Sequence, residues 1–224
     1  MTEESKFFEK NNFLVVKNIL NEDVCTLLYY YMKLETRRLI FLEQQNKDIK
    51  DDFGFNKDFT NYKFLGEFND TQCPGTFSRY GCLVFDTLNL LLTPKMELLT
   101  NLKLTPTYSY HRLYKHNDIL KKHKDRKSCE ISTTVCLGYD ISNLENKNYN
   151  WPMFVLQDGK EIPLYLNAGD MIIYRGCEVT HWREKFEGVN HGQVFLHYNT
   201  KTENNDNLYD NRPELGLPSY FKAK

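Results

Sequence analysis

Two His-x-Asp pairs, His116-Asn117-Asp118 and His123-Lys124-Asp125, stand seven residues apart in a chain of 224 residues that holds six histidines. In an extended strand, residues two apart project from the same face, so a histidine and a carboxylate at this spacing converge on one point. A histidine from a neighbouring strand would complete a set of two nitrogens and one oxygen, and His181 follows the β-rich run Met171–Tyr174. Three protein ligands on one side of an octahedral ion leave three positions open. That arrangement suits iron(II) that must take a bidentate co-substrate and O2. The H-x-D spacing alone is weak evidence, as its occurrence twice here shows. Context separates the two pairs. Tyr114 ends an alternating run, residues 115–122 return the chain to His123, and Ser128–Leu137 follows as a strand ending at Gly138. His123, Asp125 and His181 are therefore the candidate metal ligands.

The elements that must position them are legible in outline. Asn12–Asn18 reads as a short strand. A helix follows to Lys33, with Asn21 as its N-cap, acids in its first turn and Val24, Leu27, Leu28 and Tyr31 at helical spacing. Residues 43–80 are polar, aromatic and Gly-dotted, and read as a long irregular excursion. Phe85–Thr100 is a second helical region, expected to break or restart at Pro94. From Thr107 the period changes to two: Tyr108, Tyr110, Arg112 and Tyr114 alternate with smaller residues, and Ser128–Leu137, Ile162–Leu166, Met171–Tyr174 and Val194–Tyr198 are further strand-like runs. Helices first and strands later predict an α+β arrangement, with helices packed on one side of an antiparallel sandwich or barrel. One domain is expected over residues 1–200, helical over 12–105 and β-rich over 106–200, with 201–224 as a polar, surface-wrapping tail.

Composition excludes several function classes. With 41% hydrophobic and 26% charged residues the chain is globular rather than disordered. Lys+Arg at 29 against Asp+Glu at 30 gives a net charge of −1, so no global basic field favours nucleic acid. No apolar run approaches the ~20 residues that span a bilayer, so no membrane partner is expected. The start of the chain, Met1-Thr-Glu-Glu-Ser-Lys6, has no apolar leader, and the six cysteines form no C-x-x-C pair. Reduced thiols and a cytoplasmic location are expected.

The segment from Tyr114 to His123-Lys124-Asp125 resembles the Y-x-x-G-x-x-x-x-x-H-x-D segment of the prolyl-4-hydroxylase-like 2-oxoglutarate/Fe(II) dioxygenases. Gly169–Tyr174 followed by His181 is similar to their distal-histidine segment, and Phe13–Cys25 to their strand-then-helix opening. The resemblance spans roughly residues 12–200. It implies a double-stranded β-helix (jelly-roll) core with flanking N-terminal helices, and 2-oxoglutarate decarboxylation coupled to hydroxylation of a prolyl peptide, another amino-acid side chain or a small molecule. It also implies Fe(II), 2-oxoglutarate and O2 as cofactors and co-substrates, with ascorbate as a candidate reductant, and Tyr114 as a hydroxyl reaching the co-substrate.

One position departs from that pattern. The family places an Arg or Lys about ten residues after the distal histidine, to pair with the far carboxylate of 2-oxoglutarate. Here that position is His191, with Gln193 two residues on, while Arg183 and Arg112 are substitutes that carry charge. Sequence position places His191 slightly ahead of an arginine. Arg126, next to Asp125, reads either as a clamp for a substrate carboxylate or as a surface charge. His197 reads as a satisfied core histidine or a pocket wall, and Cys136 and Cys177 as buried thiols. Two alternatives stay open: a non-iron hydrolase or isomerase using the same His/Asp/His set, and a catalytically silent jelly-roll binding domain.

Overall fold

A computed structural model describes residues 1–49, 62–202 and 208–222. Two antiparallel sheets face each other across the site, and three helices cover the outer face of the larger one. The strands are β1 (Phe13–Val16), β2 (Phe77–Tyr80), β3 (Leu104–Lys115), β4 (Leu120–His123), β5 (Ile131–Asp140), β6 (Met153–Gln157), β7 (Lys160–Leu164), β8 (Met171–Arg175), β9 (His181–Arg183) and β10 (Asn190–Thr200). The larger sheet runs β1-β8-β5-β10-β3-β2 and the smaller β4-β9-β6-β7. Every pairing is antiparallel. This is the α+β, jelly-roll arrangement the sequence predicts, and among the described residues the sheets do not close into a barrel.

Period two decides what each face does. On β3 and β10 one set of side chains, including His111, Val194, Leu196 and Tyr198, packs under the helices with Phe85, Met96 and Leu99. The alternate set, including Tyr114 and Phe195, packs with Trp151 and Phe186 between the sheets. The site belongs to that second layer.

The helices are α1 (Glu3–Asn11), α2 (Glu22–Ile49) and α3 (Leu83–Thr100). α1 is absent from the sequence reading. Its signals are local: Thr2 caps the Ser5 amide, Glu3 and Glu4 occupy the first turn, and Asn12 ends it in the left-handed region at φ 63°. α2 runs well beyond Lys33, because residues 34–49 contain neither Gly nor Pro, and Leu39 still reaches the core. The supposed irregular excursion 43–80 thus begins inside a helix and ends in β2. Residues 50–61 of it lie outside the described residues. α3 continues through Pro94. The carbonyl that loses its helical donor at Pro94 is that of Leu90, a residue on the exposed side of the helix.

The C-terminal segment 208–222 returns to the sheets. Arg212 is buried and bonds Asp86 Oδ2 (3.0 Å) and the Thr107 carbonyl (3.1 Å). Asp210 is buried at a turn where Tyr209, Asp210 and Asn211 all have positive φ. Residues 203–207 and 223–224 of the expected tail lie outside the described residues.

Candidate metal centre

His123 ends β4 and lies directly opposite His181 on β9, so one register pair supplies both imidazoles. Their ring centroids are 4.3 Å apart. Asp125 follows β4, and its backbone amide donates to the Gly176 carbonyl (2.8 Å), which brings the side chain beneath the two rings. Asp125 Oδ1 is 3.6 Å from His123 Nε2 and 3.5 Å from His181 Nε2. All three candidate donor atoms lie within 4.8 Å of one another.

The hydrogen bonds fix which nitrogens are free. His123 Nδ1 donates to the Lys121 carbonyl (2.8 Å), and His181 Nδ1 donates to the Val179 carbonyl (3.0 Å). A carbonyl only accepts, so both rings keep a proton on Nδ1 and turn Nε2 toward Asp125, the nitrogen that a neutral ring offers to a metal. Burial, with the neighbouring His181, pushes the His123 imidazolium down, so it stays neutral. Burial works to raise the Asp125 carboxyl, but His181, His197 and Ser132 outweigh it and hold the group well below the usual carboxylate range. Two Nε2 nitrogens and one ionised oxygen on one side fit a divalent ion that keeps open positions.

A cavity of about 540 Å³ opens over these three residues, and Arg112, Lys124, Arg126, Tyr108, Phe195 and His197 are among its walls. The other predicted residues sit as follows. Arg112 is buried and committed: it pairs with Asp70 and donates to Gln72 Oε1 (3.1 Å) and Tyr114 Oη (3.2 Å). Tyr114 is fully buried beside it, packed against Trp151. His191 is fully buried between Tyr139 and Phe186, and burial followed by the charge of Arg183 pushes its pKa well below the usual value. It is therefore neutral. With the amide oriented to satisfy all its neighbours, Gln193 accepts from His191 Nε2 (2.6 Å) and Arg183 Nη2 (3.3 Å) and donates to Thr134 Oγ1 (2.5 Å).

Arg183 differs from Arg112. Like Arg112 it is buried with an Nε that has no partner, but its Nη1 donates to a neutral group, the Trp151 carbonyl (2.8 Å). Among the described residues no carboxylate pairs with it.

Arg126 is held by the C-terminal segment. Its two terminal nitrogens meet Asp210 Oδ1 (2.7 Å) and Oδ2 (2.5 Å), and its guanidinium lies over Tyr108. Cys136 is buried as expected, whereas Cys177 is partly exposed because its thiol reaches only to the Arg126 carbonyl at the surface. The rival pair is used elsewhere: Asp118 is buried and accepts from Thr76 Oγ1 (2.6 Å) and the Lys115 amide (2.8 Å), while exposed His116 bonds the Glu187 carbonyl.

Sequence reasoning missed three groups. Ser132 donates to Asp125 Oδ2 (2.7 Å), and Gly176 lies against the same oxygen. Asp70 and Gln72 reach the cavity from a loop with no periodic signal. A buried Glu35–His111 pair, with Arg79, Tyr31 and nearby Cys82, lies on the helix side of the larger sheet. There the hydrogen bond from His111 and the charge of Arg79 pull Glu35 down against its burial, so the buried carboxylate is satisfied within the protein.

No family model and no curated protein sequence matches the chain. Solved structures do. A Pseudomonas putida prolyl-4-hydroxylase superposes with a TM-score of 0.60 at 12% identity, over 88% of this chain and 97% of that one. HygX from Streptomyces hygroscopicus, with nickel and 2-oxoglutarate bound, gives 0.56 at 12% identity, over 90% and 88%. The viral collagen prolyl hydroxylase of Paramecium Bursaria Chlorella virus-1, in its 2-oxoglutarate complex, gives 0.54 at 8% identity, over 86% and 98%. The chain has the fold of the 2-oxoglutarate/Fe(II) oxygenases.

Proposed function

We propose that this chain is an Fe(II)- and 2-oxoglutarate-dependent oxygenase whose iron is held by His123, Asp125 and His181. The observation that carries the reading is the convergence of two Nε2 atoms and one carboxylate oxygen at the base of an open cavity. When bound there, iron supplies the redox chemistry that couples 2-oxoglutarate and O2 to oxidation of a C–H bond. The protein supplies position and charge. Asp125 offsets half the ion's charge, and the three protein ligands occupy one side only.

Arg183 is the partner proposed for the far carboxylate of 2-oxoglutarate. A buried guanidinium without a counter-ion is costly, and an incoming carboxylate relieves that cost while accepting a charged hydrogen bond. His191 is neutral, and the charge of Arg112 is already matched by Asp70. Tyr114 contributes a neutral hydroxyl from the same layer, while the Gln193 amide is taken up by His191, Arg183 and Thr134. The substrate enters through the cavity beside Lys124, Tyr108 and Arg126, and about 540 Å³ accommodates a peptide side chain or a small molecule. The neighbouring folds include a prolyl-4-hydroxylase and a protein holding hygromycin B, so both substrate types belong in the assay.

Anaerobic loading with Fe(II), followed by air and 2-oxoglutarate, tests the reading by succinate release with and without prolyl peptides, other peptides and small molecules. Release that disappears in Asp125→Ala supports it. Metal binding at these residues without any succinate would favour the silent binding domain, and hydrolysis or isomerisation with zinc or manganese the non-iron enzyme.

A further inference from the structure

We infer that Ser132, His197 and Gly176 form a cradle that holds Asp125 to its metal through Oδ1 alone. The inference rests on the proposed metal site and concerns how this chain keeps that site open. A carboxylate bound through both oxygens would occupy a position that the co-substrate or O2 needs, so something must engage the second oxygen.

The hydrogen-bond directions are forced. Ionised Asp125 only accepts, so the 2.7 Å bond between Ser132 Oγ and Asp125 Oδ2 uses the single hydroxyl proton. The Cys129 carbonyl at 3.2 Å is the weaker competitor for that proton, being neutral and farther. His197 Nδ1 lies 3.0 Å from Ser132 Oγ and must then donate to it. The order is His197 Nδ1–H to Ser132, and Ser132 Oγ–H to Asp125. His197 is fixed by the ring of Tyr108, with centroids 4.5 Å apart. Burial lowers its pKa to about 4, so it carries one ring proton at neutral pH and this bond locates it.

Gly176 closes the cradle with backbone. A Cβ there would lie 2.5 Å from Asp125 Oδ2 and 2.6 Å from Ser132 Oγ, and would meet the Cys129 carbonyl. The Gly176 carbonyl meanwhile holds the Asp125 amide (2.8 Å). The requirement is one of space. With Ser132 donating to Oδ2 and the Gly176 backbone leaving room only for that arrangement, Oδ1 is the oxygen that faces His123 and His181.

Co(II) titration with visible absorption tests the cradle without turnover. Ser132→Ala should weaken Co(II) binding by roughly 10- to 100-fold and change the ligand-field spectrum, because the carboxylate gains freedom to bind through both oxygens. His197→Phe should do the same to a smaller degree. His197→Asn, whose amide N–H can donate to Ser132, should restore the wild-type affinity and spectrum. Melting of the metal-free proteins separates these effects from unfolding, and if Ser132→Ala does not fold, the Phe and Asn variants at position 197 carry the comparison. Wild-type affinity and spectrum in Ser132→Ala and His197→Phe, with Co(II) lost in His181→Ala, would overturn the cradle alone. Co(II) binding that survives His181→Ala would overturn the metal site and the cradle with it.

Discussion

Replacing Arg183 by Met should cost 2-oxoglutarate affinity and leave the metal in place. The magnitude follows from what the guanidinium does in the structure. It is buried, uses Nη1 on the Trp151 carbonyl, leaves Nε without a partner and meets no carboxylate among the described residues. A hydrogen bond to a charged group contributes about 1.5–3 kcal/mol, so losing one corresponds to roughly 10- to 150-fold in affinity. The same substitution removes an uncompensated buried charge and keeps similar volume, so the melting temperature without co-substrate should not fall. Arg112→Met should behave oppositely: it strands Asp70 and lowers the melting temperature. Calorimetric titration of 2-oxoglutarate into metal-loaded, anaerobic protein reads the affinities. It also carries a pH test. A protonated histidine anchor would release its ligand as pH rises through its pKa, whereas burial keeps His191 neutral well below pH 6.5. Affinity should therefore be flat from about pH 6 to 8. Unchanged affinity in Arg183→Met, or a fall with rising pH that His191→Ala abolishes, would refute the reasoning.

Three further outcomes are expected. Asp118→Ala should lose about 1–3 kcal/mol in chemical denaturation, by leaving Thr76 and the Lys115 amide without their acceptor, yet bind Co(II) normally. Arg212→Ala should cost about 3–5 kcal/mol, seen in the denaturation midpoint, because it strands buried Asp86 and frees the C-terminal segment. Burial works to raise Asp210, but Arg126, Lys222, Ser128 and Tyr80 outweigh it and hold the carboxyl below 3.8. Its contribution is present above the unfolded pKa and is lost as pH falls through the depressed value, so Asp210→Asn should be less stable at pH 7 and the gap should begin to narrow below about pH 4.

The sequence is most legible where a pattern is local. Alternation from Tyr108 to Tyr114 identifies β3, and the apolar run Met171–Tyr174 identifies β8. The choice of His123-Lys124-Asp125 over His116-Asn117-Asp118 rests on the strands around it, and the structure brings the chosen residues together with His181. Short strands escape this reading: β4 carries two lysines, and β9 is three residues long. The extended α2 and unbroken α3 show tertiary packing overriding a stop signal at Pro94. The anchor question is harder for a physical reason. Arg112 and Arg183 look alike in sequence, and only the distant Asp70 makes one paired and the other not. Ser132 and Gly176 likewise acquire meaning only through Asp125, which three-dimensional proximity alone supplies.

The central claim is that His123, Asp125 and His181 hold one Fe(II) that in turn receives 2-oxoglutarate. Anaerobic titration of Fe(II), and then of 2-oxoglutarate onto the loaded protein, measures this directly. One Fe(II) per chain is expected, lost in each single substitution His123→Ala, Asp125→Ala and His181→Ala, with 2-oxoglutarate binding tightly only after the metal. Fe(II) binding that persists in the triple variant, or 2-oxoglutarate binding equally well to metal-free protein, would contradict the account.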